Sequence, residues 1–414
     1  VFGGNISFTG NTSSIDFSIG NPFVEVKNGI DCGSYSITNF KSGTSQWKFS
    51  TNSQEIKCGY STMLNFDSPI LISGAITLGI SGRSSGYGGI IFNSTLNGDN
   101  INSKLLIGGA SAAFPSYLGV ASTSTIMTTG IFDFTTSSYS VVSFRMSGAY
   151  TIPYTTFQGL DINGTGIKSL SGNTSVTSLT INLGTFDCAT YDFTNNGTTN
   201  VTNIGEFKKT GAGNILFIGS YSISSNNTIF DLSGGNPNVE FRNGFSTSNL
   251  DFNVGNFKSG TGQWKFTTNN QIIGGGYFRN NQVNASILIS GAITLTFSNN
   301  IPNNPTTFTN VINGDNINSK LLIAANSYLQ YNSATKPMAT GILDTSTNLN
   351  TWIYGNANQD ILGGASTGAK QVYRNLTLNG GGTKTLQGYV SVLNTYTLTA
   401  PATLNNNGYT LTNP

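Results

Sequence analysis

Hydrophobic and polar residues alternate along this chain in short bursts. Ile15-Asp16-Phe17-Ser18-Ile19, Phe23-Val24-Glu25-Val26, Leu179-Thr180-Ile181-Asn182-Leu183 and Tyr409-Thr410-Leu411 are typical. A period of two marks a strand with one covered face, because successive side chains leave a strand on opposite sides. The bursts recur about every eight to ten residues and are bounded by Gly, Asn and Ser, which turn the chain. Apolar residues at the i, i+3, i+4, i+7 spacing of an amphipathic helix are hard to find. The pattern predicts an almost wholly β protein.

The pattern is also written twice. Asn39-Phe40-Lys41-Ser42-Gly43-Thr44-Ser45-Gln46-Trp47-Lys48-Phe49 returns with one change at 256–266. Ile70–Leu78 returns unchanged at 287–295, and Asn97–Ile107 at 313–323. The copies run from 1 to about 205 and from about 206 to 414. Small insertions and deletions fall between the matched blocks, where turns belong. Such a duplication points to repeat architecture. It also provides an internal control: what the shared fold needs should stand in both copies, and a site peculiar to one copy should not. Val1 is not a methionine and both ends break off mid-pattern. We therefore expect a processed or excised piece of a longer array.

Two all-β folds compete. One is a right-handed parallel β-solenoid (β-helix) that continues through both copies. The alternative is two tandem β-sandwich domains. The solenoid suits the chain better, since its coils line a thin apolar interior and place Asn, Ser and Thr outside and at the corners. At roughly 20–27 residues and about 4.8 Å per coil, about 15–20 coils would make a rod on the order of 70–100 Å long.

Composition sharpens the choice. Only 9% of residues are charged, against roughly 25% in ordinary globular proteins. Mean hydropathy is −0.08, so polar uncharged residues fill the gap rather than grease. Like charges stacked on neighbouring coils would repel, and a solenoid avoids them. The net charge of +2 comes with no basic cluster, which argues against nucleic acid. No apolar run is long enough for a membrane-spanning helix. There is no histidine, which removes Ser-His-Asp and Cys-His catalysis, zincin motifs and His-ligated metals. No phosphate-binding or dinucleotide fingerprint stands out, and Gly86-Tyr87-Gly88-Gly89 and Gly380-Gly381-Gly382 read as turns. We expect no cofactor. Three cysteines do not make a disulfide framework. Cys32 and Cys58 could stack on adjacent coils as a local disulfide; buried thiols are the favoured alternative.

Some strings resemble known repeats. Tyr150–Leu170 and, more clearly, Tyr373–Leu386 resemble a repeat of large secreted surface proteins of Bacteroidetes-type bacteria, in which a strand, a Gly-rich turn and Lys-Thr-Leu precede the next strand. Phe207–Leu216 resembles the Thr-Gly-Ala-Gly strand repeat of autotransporter passenger domains, and Leu404–Thr412 a terminal rung of such solenoids. Similar strings occur in phage fibre and virion-surface proteins. The resemblance implies a solenoid in an extracellular, cell-surface or virion-surface setting, and covers about a third of the chain in short pieces.

Candidate chemistry is sparse. Acids shared by both copies are Asp16/Asp231, Glu25/Glu240, Asp99/Asp315 and Asp133/Asp344. Asp99 and Asp315 sit in Asn-Gly-Asp-Asn, a turn signal, with Ca²⁺ ligation as the alternative. Glu25 with Lys27, and Glu240 with Arg242, read as solvent-facing pairs. Trp47 and Trp264 read as core. If they face outward instead, they join Gln46 and Gln263 in a platform for sugar stacking. Lys41, Lys104 and Lys168 recur as Lys258, Lys320 and Lys384 and read as isolated outer lysines that deter edge pairing. The expected role is a non-enzymatic, rigid segment of an extracellular surface fibre, filament or adhesin. Its expected partners are other copies of itself and possible surface glycans. A phage fibre or virion decoration is the alternative, and a polysaccharide-active β-helix enzyme ranks below both.

Overall fold

The computed structural model describes all residues except 11–13, 34, 36, 38, 59–62, 83–88, 109–115, 124–125, 135–139, 154–155, 226, 248–256, 275–277, 279–280, 300–303, 347–348 and 414. The Gly86–Gly88 part of one expected turn, and Gly275, which aligns with Cys58, lie outside the described residues. Among those described there is no helix. Parallel strands stack into a β-solenoid of about 15 turns. Two sandwich domains are thereby excluded, because sandwiches are built from antiparallel sheets. The chain divides into two compact units, Val1–Phe186 and Asp187–Pro414. The repeat boundary near 205 therefore falls inside the second unit. A stack of similar coils can be cut at any phase, so sequence repeat and compact unit need not coincide.

Each unit has three faces. In the first, face A runs Val24–Val26, Trp47–Phe49, Ile70–Ile72, Leu96–Gly98. Face B runs Ile6–Ser7, Ile30–Asp31, Gln54–Cys58, Thr77–Gly82, Lys104–Gly108, Ile131–Asp133. Face C includes Met63–Phe66, Gly89–Phe92, Ser116–Val120, Ser140–Phe144 and Thr156–Leu170. In the second unit, face A runs Phe193–Asn195, Ile215–Phe217, Val239–Phe241, Gln263–Phe266, Ser286–Ile289, Ile312–Gly314. Its face B includes Tyr221–Ile223, Phe245–Thr247, Gln271–Gly274, Thr294–Ser298 and Lys320–Ile323. Its face C includes Thr306–Phe308, Tyr328–Tyr331, Thr351–Tyr354, Gln371–Leu378 and Val390–Leu398.

Register follows from the period-two pattern, since a slip of one residue would turn every apolar side chain outward. Val24, Trp47 and Ile70 therefore stack inside, while Glu25, Lys48 and Leu71 stack outside. In the second unit Phe217, Phe241 and Phe266 form a ring stack with centroids 5.4 and 5.1 Å apart. Such pairs add about 0.5–1.5 kcal/mol each beyond the area they bury. Predicted strands are mostly present but shorter at corners. The first stops at Asp16, whose carboxylate accepts the Ser18 amide and turns the chain, leaving Ile19 exposed. Cys32, Cys58 and Cys188 are buried thiols with no disulfide.

Candidate functional site

The internal control sorts the polar residues. Those kept in both copies bind one coil to the next. Asp99 accepts the Ser73 hydroxyl and the Gly74 amide of the preceding coil at 2.7 and 2.6 Å, and Asp315 repeats this with Ser290 and Gly291 at 2.6 and 2.7 Å. The Gly74 amide and Ser73 hydroxyl hold Asp99 below the usual carboxylate pKa, and those of Ser290 and Gly291 do the same for Asp315. Ser103 donates to the carbonyls of Ile72 and Gly74, as Ser319 does to Ile289 and Gly291. The corner is tight. A Cβ on Gly98 would lie 2.5 Å from that of Ser103, and one on Gly314 2.5 Å from that of Ser319.

Two buried glutamines act alike. Gln54 accepts the Gly29 amide and donates to the carbonyls of Val26 and Ser50; Gln271 does the same with Gly244, Phe241 and Thr267. Charge pairs join coils as well: Lys104–Asp133 and Lys320–Asp344 at 2.6 Å, Lys41–Asp16 at 2.8 Å and Lys258–Asp231 at 3.0 Å. The expected Glu240–Arg242 pair forms at 2.7 Å, whereas Glu25 accepts the Ser50 hydroxyl of the next coil.

The sequence-predicted sites are dispersed by this geometry. Trp47 and Trp264 are fully buried, so neither offers a ring face to a sugar. Gln46 and Gln263 precede them by one residue and face solvent without that platform. The sugar-stacking site built on these four residues is corrected on that ground: the strand pleat turns Trp inward as it turns Gln outward. Both oxygens of Asp99 and of Asp315 are already engaged in the corner brackets, and no group of three or more metal-ligating side chains occurs among the described residues.

The lysines need a second correction. Lys41, Lys104, Lys258 and Lys320 are paired ladder charges rather than isolated ones. Lys168 and Lys384 are not outer residues at all; both are fully buried. The Lys168 ammonium donates to the carbonyls of Gly148 and Thr165 at 3.0 and 2.9 Å and reaches that of Gly164 at 3.3 Å. Lys384 donates to Asn356, Ala357 and Gly381. Burial lowers the pKa of both, that of Lys168 to about 8.

One cluster escaped the sequence reading. On face B of the first unit an open groove of about 430 Å³ gathers Asp31, Glu55 and Lys57 from adjacent coils, over a floor that includes Gly79 and Gly108. Asp31 pairs in register with Lys57, which places Glu55 on the diagonal. Lys57 lies 3.4 Å from Glu55. Copy two has Ser246, Ile272 and Gly274 at these positions, so the shared fold does not require the charges. Widely spaced single residues carry no motif, and only the difference between the copies could have marked them.

No protein family model matches this chain, and no characterised protein or solved structure is significantly similar to it.

Proposed function

We propose that the chain is a structural segment of an extracellular surface fibre, filament or adhesin, which assembles with further copies of itself. One observation carries this reading. The polar residues retained in both copies, Asp99/Asp315, Ser103/Ser319 and Gln54/Gln271, each make hydrogen bonds that join one coil to the next. What duplication has preserved is the means of stacking, which is what a rigid spacer needs. Low charge and an uncharged polar coat suit dense side-by-side display. Negative-stain imaging and light scattering of the purified chain over a rising concentration series test the reading. Fibres or ordered lateral arrays are expected, and monodisperse single chains at high concentration would sink it.

A second reading draws on the groove of the first unit. Diagonal neighbours on adjacent strands lie about 7–8 Å apart at the backbone, from which two carboxylates can reach the roughly 6.5–9.5 Å separation used by inverting glycosidases. Asp31 and Glu55 would be acid and base there. Incubation with a panel of polysaccharides decides it: released reducing ends that vanish in Glu55→Gln support an enzyme, and none dismisses one.

A further inference from the structure

Face C of the second unit carries another groove, of about 450 Å³, lined by Asn, Thr, Tyr and Leu with no charged side chain. We propose that it binds a neutral oligosaccharide lying along the coils. The inference rests on the surface-segment reading only for where glycans would be met; its geometry stands alone.

The groove crosses four coils in register, Tyr328 to Thr351 to Asn375 to Thr395. The coil rise of about 4.8 Å is close to the advance of one pyranose along a β-linked chain, so equivalent groups can meet successive sugars. The polar groups are set in place beforehand. The Asn375 amide donates to the Asn350 carbonyl at 2.6 Å, and its oxygen accepts from Asn394 at 2.8 Å. Thr377 stands two residues further along the same strand. Amides and hydroxyls both donate and accept, as sugar hydroxyls require, whereas a charged ligand would find no counter-charge in the lining.

Leu349 is the second, independent observation. It lies at the corner beside the groove, 57% exposed, with φ +59°. On the preceding coil the equivalent corner is Asn326, also left-handed at φ +59°. Asparagine adopts that conformation readily, but a leucine there costs roughly 1–2 kcal/mol and gains no burial in return. An exposed, strained apolar side chain beside Tyr328 is explained if both contact the C–H face of a bound sugar.

The other copy supports this. Its matching ladder is Tyr117, Val141 and Gly159, with Asp161 in place of Thr377. Only the tyrosine is shared, so the amide and hydroxyl lining is not a demand of the fold.

Calorimetric titration of the full chain with cellohexaose, maltohexaose and mannohexaose tests the proposal, with hexagalacturonate as the charged control. At least one neutral hexamer should bind, and Tyr328→Ala, Leu349→Gly and Thr377→Asp should each weaken it about tenfold or more. Glycine accepts φ +59°, so Leu349→Gly should keep the wild-type circular dichroism and melting temperature or improve on them. The proposal is overturned if no neutral hexamer binds, if all three variants bind as well as the parent, or if hexagalacturonate binds equally well. Filaments that form while no oligosaccharide binds would remove the groove and leave the scaffold reading standing.

Discussion

At the scale of single residues, Lys168 shows how this chain uses charge. Its ammonium closes a corner by donating to the Gly148 and Thr165 carbonyls, with no carboxylate beside it among the described residues. Burial has lowered its pKa to about 8, whereas an unfolded lysine titrates near 10.4. Between those values the unfolded chain holds the extra proton, so stability should rise with pH from about 8 upward and stay flat below. Lys168→Met should make that slope shallower in denaturant melts at pH 7 to 10.5, with the lowered Lys209 and Lys384 supplying what remains. It should also lower stability at pH 7 by about 1–3 kcal/mol, because buried carbonyls lose their donor. The tryptophans offer a paired test. Trp47 Nε1 donates to the Ser42 carbonyl at 2.9 Å, while Trp264 Nε1 is buried with no acceptor among the described residues. Trp47→Phe should therefore cost about 1 kcal/mol more than Trp264→Phe in urea melts. Alternation alone identified both tryptophans as core. It could not identify Lys168, because a lysine folded under a Gly-rich corner and a lysine in solvent occupy the same place in a polar–apolar string.

At the scale of the strand and its corner, adjacent coils are clasped by carboxylates whose protonation is costly. Asp16 is lowered to about 2 by its hydrogen bonds from Lys41 and Ser18, and Asp99 and Asp315 are lowered by their corner amides and hydroxyls. A carboxyl whose folded pKa is depressed stabilises the fold above its unfolded value, near 3.9, and that contribution disappears as pH falls through the folded value. Melting temperature should hold down to about pH 4 and fall between there and pH 2. Asp99→Asn with Asp315→Asn should flatten the fall. Strand existence, parallel stacking and the turn role of Asn-Gly-Asp-Asn were legible, because each rests on a local pattern present twice. The charged groove was not: Asp31, Glu55 and Lys57 are brought together by coil register, and register over 24 to 26 residues leaves no mark in a short window.

At the scale of the whole molecule, self-association is the property most open to trial. Ile101 and Ile317 occupy the same turn tip in the two copies and each is 77% exposed. Duplication has kept an apolar residue where a single fold would accept a polar one. If copies of the chain associate, Ile101→Asp with Ile317→Asp should reduce the scattering mass at high concentration while melting stays unchanged. Retention of full assembly would place the contact elsewhere.

The three enclosed sulfurs have a practical consequence. Two lie in the first unit and one in the second, and burial pushes the pKa of Cys58 and Cys188 upward, away from reactive thiolate. An alkylating reagent should reach them only when the surrounding coils open. Mass-resolved labelling then works as a pair of stopwatches, one inside the first unit and one at the start of the second, started by the same denaturant. Equal rates would mean that these two places open in one event, and unequal rates that one lets go while the other holds.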